Sequence, residues 1–501
     1  MKLFTIGDSI SQGLMSLGVA RTHLAYSTWI ARALGVDVGD GFSSPAYRVP
    51  DYPAHGLLLD LEAVLRRLYL AFGSRIEGLE WTALVTEINR VLDVAEDHYE
   101  RGEGAGPYRG GSVPWFHNAS VYGYDVADAW LVTPALCKER IAAAPGAGDG
   151  FLHVPSASFY RTALRVLNPS RDPRLDGFSQ LDWLAHHARG EGVESLLLWL
   201  GPNNAVGSAI LLSIAATEDR PDRRPVSLSF DERTRAQWNL WMPDDFVAEY
   251  GELLDRIDTI MRRNEHPGWR VFVANVPHVT IAPIAAGVGD PLPGVPRYFP
   301  YYTYPPLARG TRLVEAGAPH LTAAEARRID ATVDACNAQI AALIEERNAR
   351  HRARRYHLVD ISGSLDRLAY RRTGGEPTYA FPAYFKDGVA APMDTRYYHV
   401  DRAGRRKAGG IVSLDGVHPS VIGQGLLAHE FLEVMKAAGV EGADPDRLPW
   451  PRIVASDTLY KDPIPLMEEV YEHEELAAAA LAAHRHIFGG FKGRRGSIKD
   501  F

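Results

Sequence analysis

Cysteine is almost absent. Cys137 and Cys336 are the only two in 501 residues. Two thiols cannot build a disulfide framework, so the fold must rest on apolar packing, and the pair suits a reducing compartment. Long apolar runs are also missing. The longest, 196–200 and 209–216, fall far short of the ~20 residues that a membrane-spanning helix needs. No secretory leader is visible, because only Lys2 precedes the apolar run 3–6 and the chain then reads Gly7-Asp8-Ser9. The expectation is a soluble cytoplasmic protein with no integral membrane segment. An excess of one charge is lacking too: 54 Lys and Arg stand against 62 Asp and Glu, a net charge of −8. That balance argues against a broad electrostatic grip on nucleic acid or an anionic membrane. There is no His-Glu-x-x-His, Cys-x-x-Cys, Gly-x-Gly-x-x-Gly or phosphate loop, so neither a metal nor a nucleotide cofactor is expected. His186 and His187 are adjacent on a predicted helix and face different directions, which makes them poor joint ligands.

What is present is an ordinary globular balance, 46% hydrophobic and 23% charged. At about 150 residues per domain the length allows three domains, or one enlarged α/β domain. Short apolar runs closed by turn residues predict buried strands at 2–6, 115–121, 194–200, 269–276 and 356–361. Helical periodicity predicts helices over 11–34, 125–135, 178–189, 244–263, 323–350 and 421–438, and two or three more within 57–98. Strand and helix alternate at βαβ spacing, which points to a parallel sheet covered on both faces. A single domain over 1–440 is expected, with insertions at about 40–112, 205–240, 285–322 and 364–412 and an extension over 441–501. Long loops of this kind form lids or binding walls, and a cap over a cleft is the expectation for the helices of 57–98.

Four polar stretches sit after strands or in a loop near the C-terminus, at the edge where open α/β sheets bind ligands. Gly7-Asp8-Ser9 puts a hydroxyl on a strand-to-helix turn, and is equally a good turn and cap sequence. Asp415-Gly416-Val417-His418 spaces a carboxylate so that it can touch an imidazole across one tight turn, and is equally a polar loop. Gly201-Pro202-Asn203-Asn204 ends a strand and offers a side-chain amide to a developing oxyanion. Asn118-Ala119-Ser120-Val121-Tyr122-Gly123 ends in a glycine able to turn its N–H towards a ligand.

Taken together, in the order Ser, Gly, Asn, Asp-x-x-His, the four stretches resemble the motif blocks of the SGNH hydrolases, the GDSL esterase/lipase family. Asn275-Val276-Pro277-His278-Val279, with Pro283, is similar to the Pro-rich end of that family's fourth strand. The resemblance implies a flavodoxin-like three-layer α/β/α sandwich with a parallel sheet, enlarged by helical and loop insertions. It implies Ser9 as nucleophile, His418 as general base and Asp415 as its orienting partner. The oxyanion hole would comprise the N–H of Ser9, the N–H of Gly123 and the amide of Asn203. Asn204 departs from the family pattern, which has Asp there, so it cannot compensate a cation and bears on substrate range. The implied activity is a serine esterase or lipase forming an acyl-enzyme on a small-molecule or lipid ester, with no cofactor. An acyltransferase using the same residues is the alternative, and a binding protein with a disabled site a further one.

Two aromatic clusters are candidate substrate walls. One, at 291–308, includes Tyr298 and Tyr302; the other, at 379–398, includes Tyr379 and Tyr384. Loop anchoring explains the same residues. The basic run 347–355 reads as cations near a helix C-terminus, 468–475 as a solvated acidic helix face, and 492–499 as a frayed basic tail. Oligomeric state is not legible.

Overall fold

A computed structural model describes residues 1–472 apart from 20, 40–45, 55, 79, 145–152, 220–224, 296, 306–307, 309 and 316. The tail over 492–499 lies outside the described residues. The elements that position the site are β1 (Leu3–Gly7), α1 (Ser9–Gln12), α2 (Tyr26–Ala33), α3 (Leu61–Phe72), α4 (Glu80–Glu100), α5 (Ser158–Leu167), α6 (Gln180–Arg189), β2 (Ser195–Trp199), α7 (Pro243–Met261), β3 (Arg270–Ala274), α8 (Ala323–Asn348), β4 (Tyr356–Val359), α9 (Ile361–Leu368) and α10 (Val421–Ala437).

The four strands form one parallel sheet in the order β1-β2-β3-β4. Its apolar runs are buried on both faces, as parallel strands require. Phe4, Ile6, Leu196, Leu198, Val271 and Val273 belong to one core cluster. Leu3, Leu197, Trp199, Phe272 and Ala274 belong to the other. Residues from α5, α6, α7 and α8 complete the first cluster, and residues from α2 and α10 the second. Two strong start signals fix helix ends: capping boxes at Ser179–Asp182 and Thr322–Glu325.

On the outer side of β1, Asn118 forms a parallel bridge with Thr5. The chain therefore leaves β1, runs back beside it on one side, and next enters the sheet as β2 on the other. Crevices form where connections diverge in this way, beyond the carboxyl ends of the strands. Ser9 follows β1 at that point.

The structure departs from the expectations in particular places. The helix expected over 11–34 is two helices, α1 and α2, because Gly13 caps α1 in a left-handed conformation (φ 83°). The strand expected over 115–121 is a single bridge extended by the hydrogen bonds Ala119 N to Thr5 O and Val121 N to Gly7 O. The helices α3 and α4 do not lie over a cleft. They pack with Tyr398, Val400, Leu459 and Leu466, so the insertion is fastened to the C-terminal extension. Arg66 adds ion pairs to Glu62 and Asp462.

The basic run is tied down: Arg347 reaches Asp255 and Gly251 O, and Arg355 reaches Trp269 O. The described part of the acidic patch is paired as well, Glu468 with His399 and Glu469 with Arg402, so it is not a solvated face. Both cysteines are free and buried. Among the described residues no helix is long and apolar enough to cross a membrane.

Candidate active site

Ser9 opens α1 directly after β1, and the residue is 7% exposed. Asp8 caps that helix by accepting the N–H of Ile10 at 3.1 Å. The second oxygen of Asp8 is buried without a partner. Burial pushes the Asp8 carboxyl up to about 7, against the opposing pull of the Ile10 N–H and of His418.

His418 lies on the turn before α10. Its Nε2 is 2.8 Å from Ser9 Oγ, and its Nδ1 is 2.9 Å from Asp415 Oδ2. The turn is closed on itself: Ser413 N donates to His418 O at 2.8 Å, and Val412 bridges Pro419. Asp415 accepts three backbone N–H groups, from Val417 and His418 at 2.8 Å and from Leu17 at 2.9 Å. Burial opposes ionisation there, but His418 and these donors outweigh it and hold the carboxyl below its ordinary value.

Three side chains that the sequence did not mark hold the pieces together. Gln12 accepts the N–H of Tyr122 at 2.8 Å, fixing the segment that ends in Gly123 beside α1. Gln424 donates to Ile10 O at 3.1 Å and accepts from Tyr26 N at 2.9 Å, fixing α10 to α1 and α2. Gln180 donates to Gly7 O and Ala119 O. A buried Gln in an apolar helix face is the one available signal, since such an amide requires partners.

Ser9, Gly123, Asn203 and His418 line one cleft. Gly123 takes a left-handed conformation (φ 75°), and no other group among the described residues takes up its N–H or that of Ser9. Asn203 sits on the turn after β2 and donates one amide hydrogen to Tyr124 O at 2.8 Å. That bond fixes the amide and leaves its second hydrogen to the cleft.

Asn204 is turned away. It is buried, accepts the N–H of Val126 at 3.3 Å, and does not line the cleft. Tyr298, Tyr302 and Tyr384 do not line it either. The hydroxyl of Tyr298 donates to Asp330 at 2.7 Å, and that of Tyr302 accepts from Phe299 N at 3.1 Å. Tyr384 packs half-buried against the cluster of α2 and α10. Tyr298 and Tyr302 anchor their loops, because their polar tips find partners within the protein. Among the described aromatic residues of the two clusters only Tyr379 reaches the cleft wall. Among the described residues of the 57–98 insertion only Leu58 does. The remaining wall is largely apolar, including Ile10, Leu14, Leu17, Val206, Ile210, Val412 and Leu426.

His278 also reaches the wall, but both ring nitrogens are engaged, Nδ1 by Asp366 at 2.8 Å and Nε2 by Asp334 at 3.0 Å. Among the described residues no group of three or more His, Cys, Asp or Glu is placed to hold a metal. Chemically, the arrangement offers a hydroxyl with a base in contact, a carboxylate behind the base, and N–H donors facing the same apolar space. The chain matches no family model, no curated protein and no solved structure.

Proposed function

We propose that the chain is a serine hydrolase of the SGNH type, with that family's α/β/α architecture, cleaving carboxylic esters through an acyl-enzyme on Ser9. One observation carries the reading: Ser9 Oγ, His418 and Asp415 form a continuous hydrogen-bonded line of 2.8 and 2.9 Å at the mouth of an apolar cleft.

A serine hydroxyl is a weak nucleophile until a base takes its proton. His418 Nε2 accepts that proton as Ser9 Oγ bonds to the ester carbon. The carbonyl π electrons move onto oxygen, and the N–H groups of Ser9 and Gly123 with the amide of Asn203 receive the charge. As the carbonyl reforms, the bond to the alkoxy oxygen breaks and His418 gives its proton to the departing alcohol. Water then repeats the sequence on the acyl-enzyme, releasing the acid and restoring Ser9. Asp415, held as a carboxylate by three N–H groups, fixes the tautomer of His418 and stabilises the imidazolium.

The test is a burst of alcohol release from an activated acetyl ester, equal to one per chain, with labelling of Ser9 by a fluorophosphonate. The expected result is loss of both in Ser9→Ala. Full activity in Ser9→Ala would end the assignment.

A further inference from the structure

The cleft does not stop at the triad. It continues past Ile10, the residue after the nucleophile, into the layer between the sheet and the helices α9 and α10. There the walls are Trp199 of β2, Leu365 of α9, and Leu426 and Leu427 of α10. Trp199, Leu426 and Leu427 are core residues of the same cluster. The cleft as a whole, its mouth at Ser9 and His418 included, amounts to about 160 Å³. Protein interiors rarely leave voids larger than a water molecule, and an empty apolar one is a standing destabilisation. A cavity of roughly 150 Å³ lined by aliphatic side chains stays dry and holds a six-carbon ligand such as benzene. Polar groups mark one boundary. Ser364, Tyr379 and Glu430 line the space, with the Ser364 hydroxyl and the Tyr379 hydroxyl both bonded to the Glu430 carboxylate, the latter at 2.7 Å. A methyl terminus gains nothing by pressing against a carboxylate that already has its partners.

We infer that this interlayer cavity takes the acyl chain of the substrate, an unbranched aliphatic group of about six to eight carbons, and that the Ser364–Tyr379–Glu430 cluster ends it. The inference rests on the ester-cleaving reading, because Ser9 at the opening is what makes the occupant an acyl group. The chain enters where apolar surface is already buried, so each methylene added up to the limit raises kcat/KM by about fourfold, and those beyond it add nothing.

The experiment has two arms. The first measures kcat/KM for p-nitrophenyl esters from acetyl to dodecanoyl, and in parallel for acetates of alcohols from ethanol to octanol. The second measures octanoate binding to Ser9→Ala by calorimetry, which needs no turnover. The expected results are an optimum at hexanoyl or octanoyl, no comparable optimum in the alcohol series, and octanoate binding with a negative heat-capacity change. Leu426→Trp fills the space, moves the optimum to butyryl or shorter and lowers the octanoyl-to-acetyl ratio at least tenfold. Leu365→Trp, at a less buried position, is expected to do the same and serves if the first variant does not fold. Ser9-dependent acetyl ester cleavage with a flat acyl profile, an optimum set by the alcohol, or no octanoate binding overturns the inference and leaves the hydrolase reading standing. Octanoate binding without ester cleavage overturns the hydrolase reading, and with it the identity of the chain as an acyl group.

Discussion

Leu17 donates its backbone N–H to Asp415 Oδ2 at 2.9 Å from a left-handed conformation, φ 63°. Ser16 beside it, at φ 52°, donates its own N–H to Ser413 Oγ at 2.9 Å and accepts from Leu414 N at 3.3 Å. Two non-glycine residues hold a backbone shape that costs roughly 1–2 kcal/mol each. The return is a three-bond seam between the loop after α1 and the Asp415–His418 turn. That seam sets the distance from Ser9 to His418.

Ser413→Ala removes one acceptor and leaves the Ser16 N–H stranded in a buried position. The expected loss is about 1–3 kcal/mol of stability, read from the urea midpoint. A several-fold fall in kcat on an activated ester is expected with it, since the turn loses part of its tether.

Asn203→Ala takes away a fixed donor and leaves the triad untouched. The expected effect is a fall in kcat of about a hundred- to a thousandfold with KM little changed, measured on the same ester.

Asp8→Asn tests the buried carboxyl beside Ser9. Its folded pKa of about 7 stands above the ordinary 3.8, so the native protein keeps a proton that the unfolded chain gives up. The contribution of the neutral form is fully present below about pH 4 and is lost as pH rises through about 7. Asn cannot ionise. Relative to the parent, the variant therefore gains stability between about pH 4 and 8, by at most about 4 kcal/mol. Denaturant titrations at the two pH values give the difference.

Arg233 sits between Glu249 and Asp125, with its guanidinium 4.6 Å from the ring centre of Trp241. Removing it in Arg233→Met takes the partner from the fully buried Glu249 carboxylate, at a cost of about 3–5 kcal/mol. Burial pushes the Glu249 carboxyl up to about 7, so it can take a proton in mild acid. The loss is expected to be smaller at pH 5 than at pH 8, again by denaturant titration.

The four sheet strands were legible because an apolar run closed by a turn residue has few other uses in a chain of this composition. The helix boundary at Gly13 was not. Apolar periodicity runs on through Leu14 to Leu24, and what turns Ser16 and Leu17 out of a helix is a set of partners 397 and 398 residues away. Local pattern carries no trace of that. The meeting of Ser9, Asp415 and His418 was foreseen from motif order, and the structure brings them into contact. The tyrosines went astray for a different reason: a phenol beside a pocket and a phenol bonded to Asp330 look alike in sequence. The cleft wall stayed hidden because Leu426 and Leu427 occupy a helix face that reads as core, and half of what they border is core.

Ser9 and His418 are separated by 409 positions along the chain. On the proposed chemistry, a nascent polypeptide carries a harmless alcohol until the ribosome has released residue 418 and α10 has docked. Reactivity therefore waits on synthesis of the Asp415–His418 turn, and a product cut short upstream of it lacks the base.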